Sequence, residues 1–237
     1  MGNELREESG WRGLFRLGAV GALIAGPLTI IDIMVYVIWP QPSTMTAWFS
    51  LFHENWIIGL LDLDFLGIVI YIIVIPAILV LYLNLRPTSQ SWATVGCVLT
   101  FVGMATYFAS NTGVSMLSLS GQYAAATTEA QRAMFLAAGQ AVLAIFLGPT
   151  FTTSFILVSS ALLITAVVML RSPYFSRRVA LVGIIANIAG LGEFLPVPFA
   201  IMMTTGVING ICLGLWFMLF GRTLLQLGQD PSGPRRT

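Results

Sequence analysis

Long apolar runs divided by short polar breaks organise this chain, and the strict alternation that marks half-buried strands is missing. A helix needs about 20 mostly apolar residues to cross a bilayer, because only backbone that is hydrogen-bonded within its own segment is tolerated in hydrocarbon. By that measure the runs predict spans at 17–39, 57–83, 92–110, 151–170, 179–197 and 200–221, with a kink at Pro76 in the second. The stretch after Ser110 stays uncharged until Glu129, so charge does not mark the outer end of the third span. Pro196-Val197-Pro198 supplies the turn between the last two. The expected fold class is therefore all-α, an integral membrane bundle of six transmembrane helices. A segment over 1–16 precedes the 17–222 transmembrane domain, and a tail over 223–237 follows it.

One region, Ala133 to Leu170, admits either one span or two, and the choice reverses the orientation of everything after it. Arginine settles it, because short cytoplasmic segments carry an excess of basic residues. With a single span, Arg6, Arg12, Arg16, Arg86, Arg171, Arg177, Arg178, Arg222, Arg235 and Arg236 lie inside and only Arg132 lies outside. With two, seven of the eleven arginines fall on the wrong side. Met134 to Leu147 is also too short to span, so 122–147 is expected as an Ala-rich interfacial or re-entrant helix on the outer face, aided by the Glu129–Arg132 pair. Both termini are then cytoplasmic.

Composition agrees: 57% of residues are hydrophobic and 9% charged, against roughly 25% charged in soluble domains. The formal net charge is +1 and every basic residue is Arg. No basic patch, zinc-finger spacing or Walker-type loop supports nucleic-acid or nucleotide binding. Cys97 and Cys212 sit inside apolar runs without CxxC spacing and read as small core residues. The first apolar run exceeds the roughly 7–15 residues of a signal-peptide core, so it is expected to stay as an anchor. Met1-Gly2 lacks the Ser or Thr that myristoylation requires, Arg6 standing there instead. Trp11, Trp39, Trp48, Trp56, Trp92, Tyr82 and Tyr174 fall near the expected interfaces, where amphipathic rings are favoured. Leu85-Arg86-Pro87 and Leu170-Arg171-Ser172-Pro173 echo one another, as a duplicated helical pair or common stop-transfer chemistry would produce.

The run GLFRLGAVGALIAGP, the LRP and LRSP helix ends and the segment QYAAATTEAQRAMFLAAGQAVLA together resemble bacterial multi-pass membrane proteins grouped only as a domain of unknown function. The likeness extends over nearly the whole chain. It implies a six-helix protein of the bacterial cytoplasmic membrane, and carries no activity and no catalytic motif with it.

Four acids fall within the expected spans: Asp32, Asp62, Asp64 and Glu193. Each costs roughly 2.5–3.5 kcal/mol or more to insert and so needs a partner, a proton or water. At about 1.5 Å per residue all four lie roughly 8–11 Å below the outer boundary, a shared depth that suggests an outward-opening cavity. On a continuous helix Asp62 and Asp64 stand about 200° apart, so only one is expected to face the bundle. His53, Glu54, Asn55, Asn111, Gln140 and Asn209 are polar neighbours at that side, while no Lys or Arg lies within any span. The acids must then be protonated, share protons or hold a cation.

Three readings follow. The carboxyls are structural hydrogen-bonding groups. Alternatively, Asp32, Asp62, Asp64 and Glu193, with His53, Glu54, Asn111 and Asn209 nearby, bind a proton, a cation or a polar small molecule for a carrier or sensor. The third is a membrane-embedded hydrolase in which His53 and Glu54 activate water, although a single His is few for a zinc site. A non-catalytic accessory subunit would need none of these chemistries. The frequent Ser and Thr of the fourth span carry no GxSxG or SxxK frame and read, with the glycines, as close helix packing. No cofactor or resident metal is expected, and the expected partners are the lipid bilayer and a cation or polar solute.

Overall fold

The computed structural model describes residues 2–39, 41–195 and 198–229, with side chains between Trp11 and Leu227. Pro196 and Val197 of the expected turn, Arg235 and Arg236, and the side chain of Arg6 lie outside the described residues. The chain is all-α, 86% helical, with no strand among the described residues. Ten helices follow in order: α1 Gly2–Ile38, α2 Met45–Glu54, α3 Trp56–Asp62, α4 Phe65–Leu85, α5 Gln90–Ser110, α6 Gly113–Ala125, α7 Glu129–Phe146, α8 Pro149–Met169, α9 Arg177–Gly192 and α10 Phe199–Gln229. Five stretches are long and apolar enough to cross a membrane: Trp11–Ile38, Phe65–Leu85, Gln90–Ala125, Glu129–Met169 and Phe199–Leu227.

Six helices close into a ring in which each touches the next, in the order α1, α4, α5, α8, α9, α10 and back to α1. The α1–α10 contact is the most extensive. Small residues permit this closeness: a Cβ on Gly214 of α10 would lie 2.7 Å from the Gly26 carbonyl of α1, and one on Gly103 of α5 would lie 3.1 Å from the Ser154 carbonyl of α8. The ring interior holds Leu81, Leu85, Met169, Trp216, Phe217 and Phe220, with Trp216 and Phe220 edge-to-face at 5.0 Å. Its exterior is apolar as well, with Val20, Ile72, Val98, Ile156, Ile185 and Ile211 exposed on the six helices in turn. Soluble monomers rarely expose so continuous an apolar surface, and it is compatible with a multi-pass membrane protein. The 16-residue α9 presents the same aliphatic face as its longer neighbours.

Arg12, Arg16, Arg86, Arg171, Arg177, Arg178 and Arg222 are all exposed at one end of the ring. The other end is covered by a cap of α2, α3, α6 and α7, which contact one another. The cap has its own core of Trp48, Phe49, Phe52, Leu63, Met116 and Phe146. Local chemistry sets its helix starts: Thr44 accepts from the Ala47 N–H at 3.2 Å, Asn55 from the Ile58 N–H at 3.2 Å, and Thr128 forms a reciprocal capping box with Gln131.

Several expectations need correction. The second apolar run is not one helix over 57–83: it breaks at Leu63–Asp64, and α3 belongs to the cap while α4 joins the ring. The outer Ala-rich element begins at Glu129, because residues 122–125 finish α6. Trp48 is not an interfacial ring; at 2% exposure it is a centre of the cap core.

Candidate functional site

The helix break shapes the site. Asp64 has φ 55° and ψ 36°, and no other non-glycine among the described residues takes a positive φ. A left-handed residue costs roughly 1–2 kcal/mol unless its surroundings hold it, and Asp is among the side chains that tolerate it best. Here three successive carbonyls freed by the break are each held by a side chain. Gln41 Nε2 donates to the Asp62 carbonyl at 3.0 Å, Asn111 Nδ2 to the Leu63 carbonyl at 2.8 Å, and the Tyr107 hydroxyl to the Asp64 carbonyl at 2.6 Å. Asn111 Nδ2 also approaches the Asp64 carbonyl at 3.3 Å, while its Oδ1 accepts from the Gly113 N–H at 3.1 Å. An unwound segment inside a bundle is tolerated only where its polar groups are satisfied in this manner.

The left-handed step turns Asp64 back toward the ring interior, so Asp62 and Asp64 both line one cavity. The 200° argument assumed an unbroken helix, and the break removes its premise. That cavity, about 280 Å³, lies between the cap and the ring and takes walls from α1, α3, α4, α5, α7, α8, α10 and the segment that follows α9. All four predicted acids line it: Asp32 from α1, Asp62 at the end of α3, Asp64 at the break, and Glu193 just beyond α9. Asp32 and Asp64 thus line one cavity from two different helices, and carboxyls gathered without a basic partner can share a proton or jointly face a cation. Glu193 comes from the opposite wall, its carboxyl 3.4 Å from where a Cβ on Gly206 would stand.

Three carboxyl oxygens are buried without a hydrogen-bond partner: Asp62 Oδ1, Asp64 Oδ1 and Glu193 Oε1. Asp62 is 3% exposed, so water from outside does not satisfy it. No Lys or Arg stands among the lining residues. Apolar rings fill much of the wall: Phe151, Phe155 and Phe194 form a chain with centroid separations of 4.8 and 5.8 Å, and Tyr71 stands edge-on to Tyr107 at 4.7 Å. Among the described residues no three His, Cys, Asp or Glu side chains converge as a metal-ligating group.

The other predicted residues divide. Asn209 lines the cavity and its amide donates to the Ala186 carbonyl at 2.8 Å, tying α10 to α9. Asn111 supports the break and is not part of the wall. His53 and Glu54 are exposed on α2 and outside the lining, as is Gln140 on α7. A water-activating pair of His53 and Glu54 therefore has none of the acids beside it.

Sequence reasoning missed Tyr36, Gln41, Tyr71, Tyr107 and the phenylalanine wall. A signal existed for two of them. Tyr36 stands four residues after Asp32 and Tyr71 seven after Asp64, spacings that place each ring on the same helix face as its acid. Compared with protein-family models, curated proteins and solved structures, the chain matches none of them, so its functional reading rests on its own residues.

Proposed function

We propose that this chain is a six-span protein of the bacterial cytoplasmic membrane, with its termini and arginine-rich loops in the cytoplasm, acting as a small carrier or sensor. It binds a proton, cation or polar solute in the acidic cavity beneath an outward-facing cap. One observation carries the reading: four carboxyls from three separate parts of the chain line a single cavity that no basic side chain enters. Purely structural carboxyls in lipid find partners on a neighbouring helix, and three carboxyl oxygens here have none. The orientation follows from the seven described arginines clustered opposite the cap.

The test is thermal unfolding of the detergent-purified protein across roughly pH 5–9 and in the presence of added cations, since a ligand that binds the folded state raises its apparent stability. The parent is expected to respond, and Asp32→Asn, Asp62→Asn and Glu193→Gln to lose the response. Variants indistinguishable from the parent under every condition would sink the reading. Orientation is checked separately in whole cells: a cysteine replacing Ala124 in the cap should react with an impermeant thiol reagent, and one replacing Arg171 only after permeabilisation. The reverse pattern overturns the orientation.

A further inference from the structure

We propose that the cavity's ligand is a small amphipathic organic ammonium ion, its N–H donors directed to the Asp32–Asp64 pair and its apolar body lying against the phenylalanine wall. This rests on the cavity being a binding site at all, as set out above.

The wall has two unlike parts. One carries charge: Asp32 and Asp64 both line it, Asp64 Oδ1 is buried without a partner, and Asp62, 3% exposed, presents a second unpartnered Oδ1. The other is aromatic, formed by Phe151, Phe155 and Phe194. An anion finds no basic group in the lining. A divalent metal requires several oxygens converging at 2.0–2.6 Å in general, and no three acidic, His or Cys side chains are so arranged among the described residues. A sugar or other many-hydroxyl solute would leave much of its polar surface against phenyl rings, where hydroxyls lose hydrogen bonds. An ammonium with an apolar body fits both parts at once. Its N–H groups complete carboxyl oxygens that lack donors, and the aromatic faces attract the cation and bury the hydrocarbon.

Size narrows the class. A cavity of about 280 Å³ lies near the lower limit of ordinary small-molecule pockets. That volume suits a monoamine of one ring or a short chain better than a larger drug-like cation. A primary or secondary ammonium is favoured over a quaternary one, because the orphaned acceptors call for N–H donors that a quaternary nitrogen lacks.

Titration calorimetry and thermal unfolding of the full-length protein in detergent provide the test. The probes are phenethylammonium and butylammonium, their uncharged counterparts 2-phenylethanol and butanol, tetramethylammonium, and the chlorides of sodium, potassium and magnesium. Phenethylammonium is expected to bind and stabilise, 2-phenylethanol to do neither, and tetramethylammonium to bind more weakly. Asp32→Asn and Asp64→Asn are each expected to weaken phenethylammonium binding by roughly thirtyfold or more, as for loss of one partner in a buried charge pair. Should those variants fail to fold, the ammonium-versus-alcohol comparison on the parent decides alone. Equal binding of amine and alcohol overturns the proposal. A response to inorganic cations or protons without any ammonium binding also overturns it while leaving the acidic-site reading intact. Silence toward every probe and across pH removes both.

Discussion

Replacing Tyr107 by Phe deletes one oxygen atom and with it the 2.6 Å hydrogen bond that holds the Asp64 carbonyl at the helix break. The carbonyl is not left wholly bare, because Asn111 Nδ2 still approaches it at 3.3 Å. Leaving a buried polar group unsatisfied costs about 1–3 kcal/mol, and the residual contact places this case toward the lower part, about 1–2 kcal/mol. For a chain of this length each kcal/mol lowers the unfolding midpoint by about 2–4 °C, so Tyr107→Phe should lose about 2–8 °C. Asn111→Ala removes the 2.8 Å bond to the Leu63 carbonyl and the acceptor for the Gly113 N–H, and should cost more. Because Tyr107 and Asn111 hold the same carbonyl, their combined loss should exceed the sum of the single losses, with coupling of about 0.5–3 kcal/mol. The assay is intrinsic fluorescence during heating of the detergent-purified single and double variants. A Tyr107→Phe midpoint within 1 °C of the parent, together with strict additivity in the double variant, would refute the idea that these side chains hold the break.

Gly67→Ala should be at least as damaging as Tyr107→Phe, since its methyl would collide with the Tyr107 hydroxyl and lie 2.7 Å from Asp64 Oδ1; adding Tyr107→Phe should recover part of the loss, and no recovery would show that the hydroxyl is not the obstacle. Gly214→Val should separate α10 from α1 and lower the yield of folded protein, whereas Gly121→Ala, with nothing within 4 Å, should be neutral or stabilise α6 by about 0.5–1 kcal/mol; equal behaviour in unfolding midpoints would contradict the close α1–α10 approach. Phe49→Ala opens the cap core at a residue 2% exposed and should cost about 3–5 kcal/mol, so limited proteolysis should cut within α2 or α6 before the ring; uncut cap helices would argue against a separate cap core.

The ring was legible in the sequence to the extent that lipid dictates it. Apolar length marked α5 and α8 within two residues and the outer ends of α1 and α10, whereas α1 begins well before residue 17 and α10 runs on past 221; seven described arginines gathered at one end as expected. The shared cavity of the four acids followed from their common depth alone. The break at Leu63–Asp64 was only faintly marked: neither Gly nor Pro stands there, and the two aspartates, though of a type that tolerates turns, read first as acids buried in an apolar helix. Its determinants lie 21, 43 and 48 residues away along the chain, at Gln41, Tyr107 and Asn111. Tertiary donors overrode local propensity, and with the break went both the continuous second span and the expectation that Asp62 and Asp64 face apart. Trp48 misled for a related reason. An amphipathic ring at a boundary looks alike in sequence whether it meets lipid headgroups or a small second core, and only α6 and α7, distant in sequence, decide which.

Neighbour-to-neighbour closure means that the first helix waits for the last. Until α10 arrives, the flank of α1 that carries Gly26 has no partner, and the cavity that Asp32 lines lacks the wall that Met202, Met203, Gly206 and Asn209 supply. The acidic chamber is thus closed only when the two ring helices most distant in sequence, α1 and α10, come together.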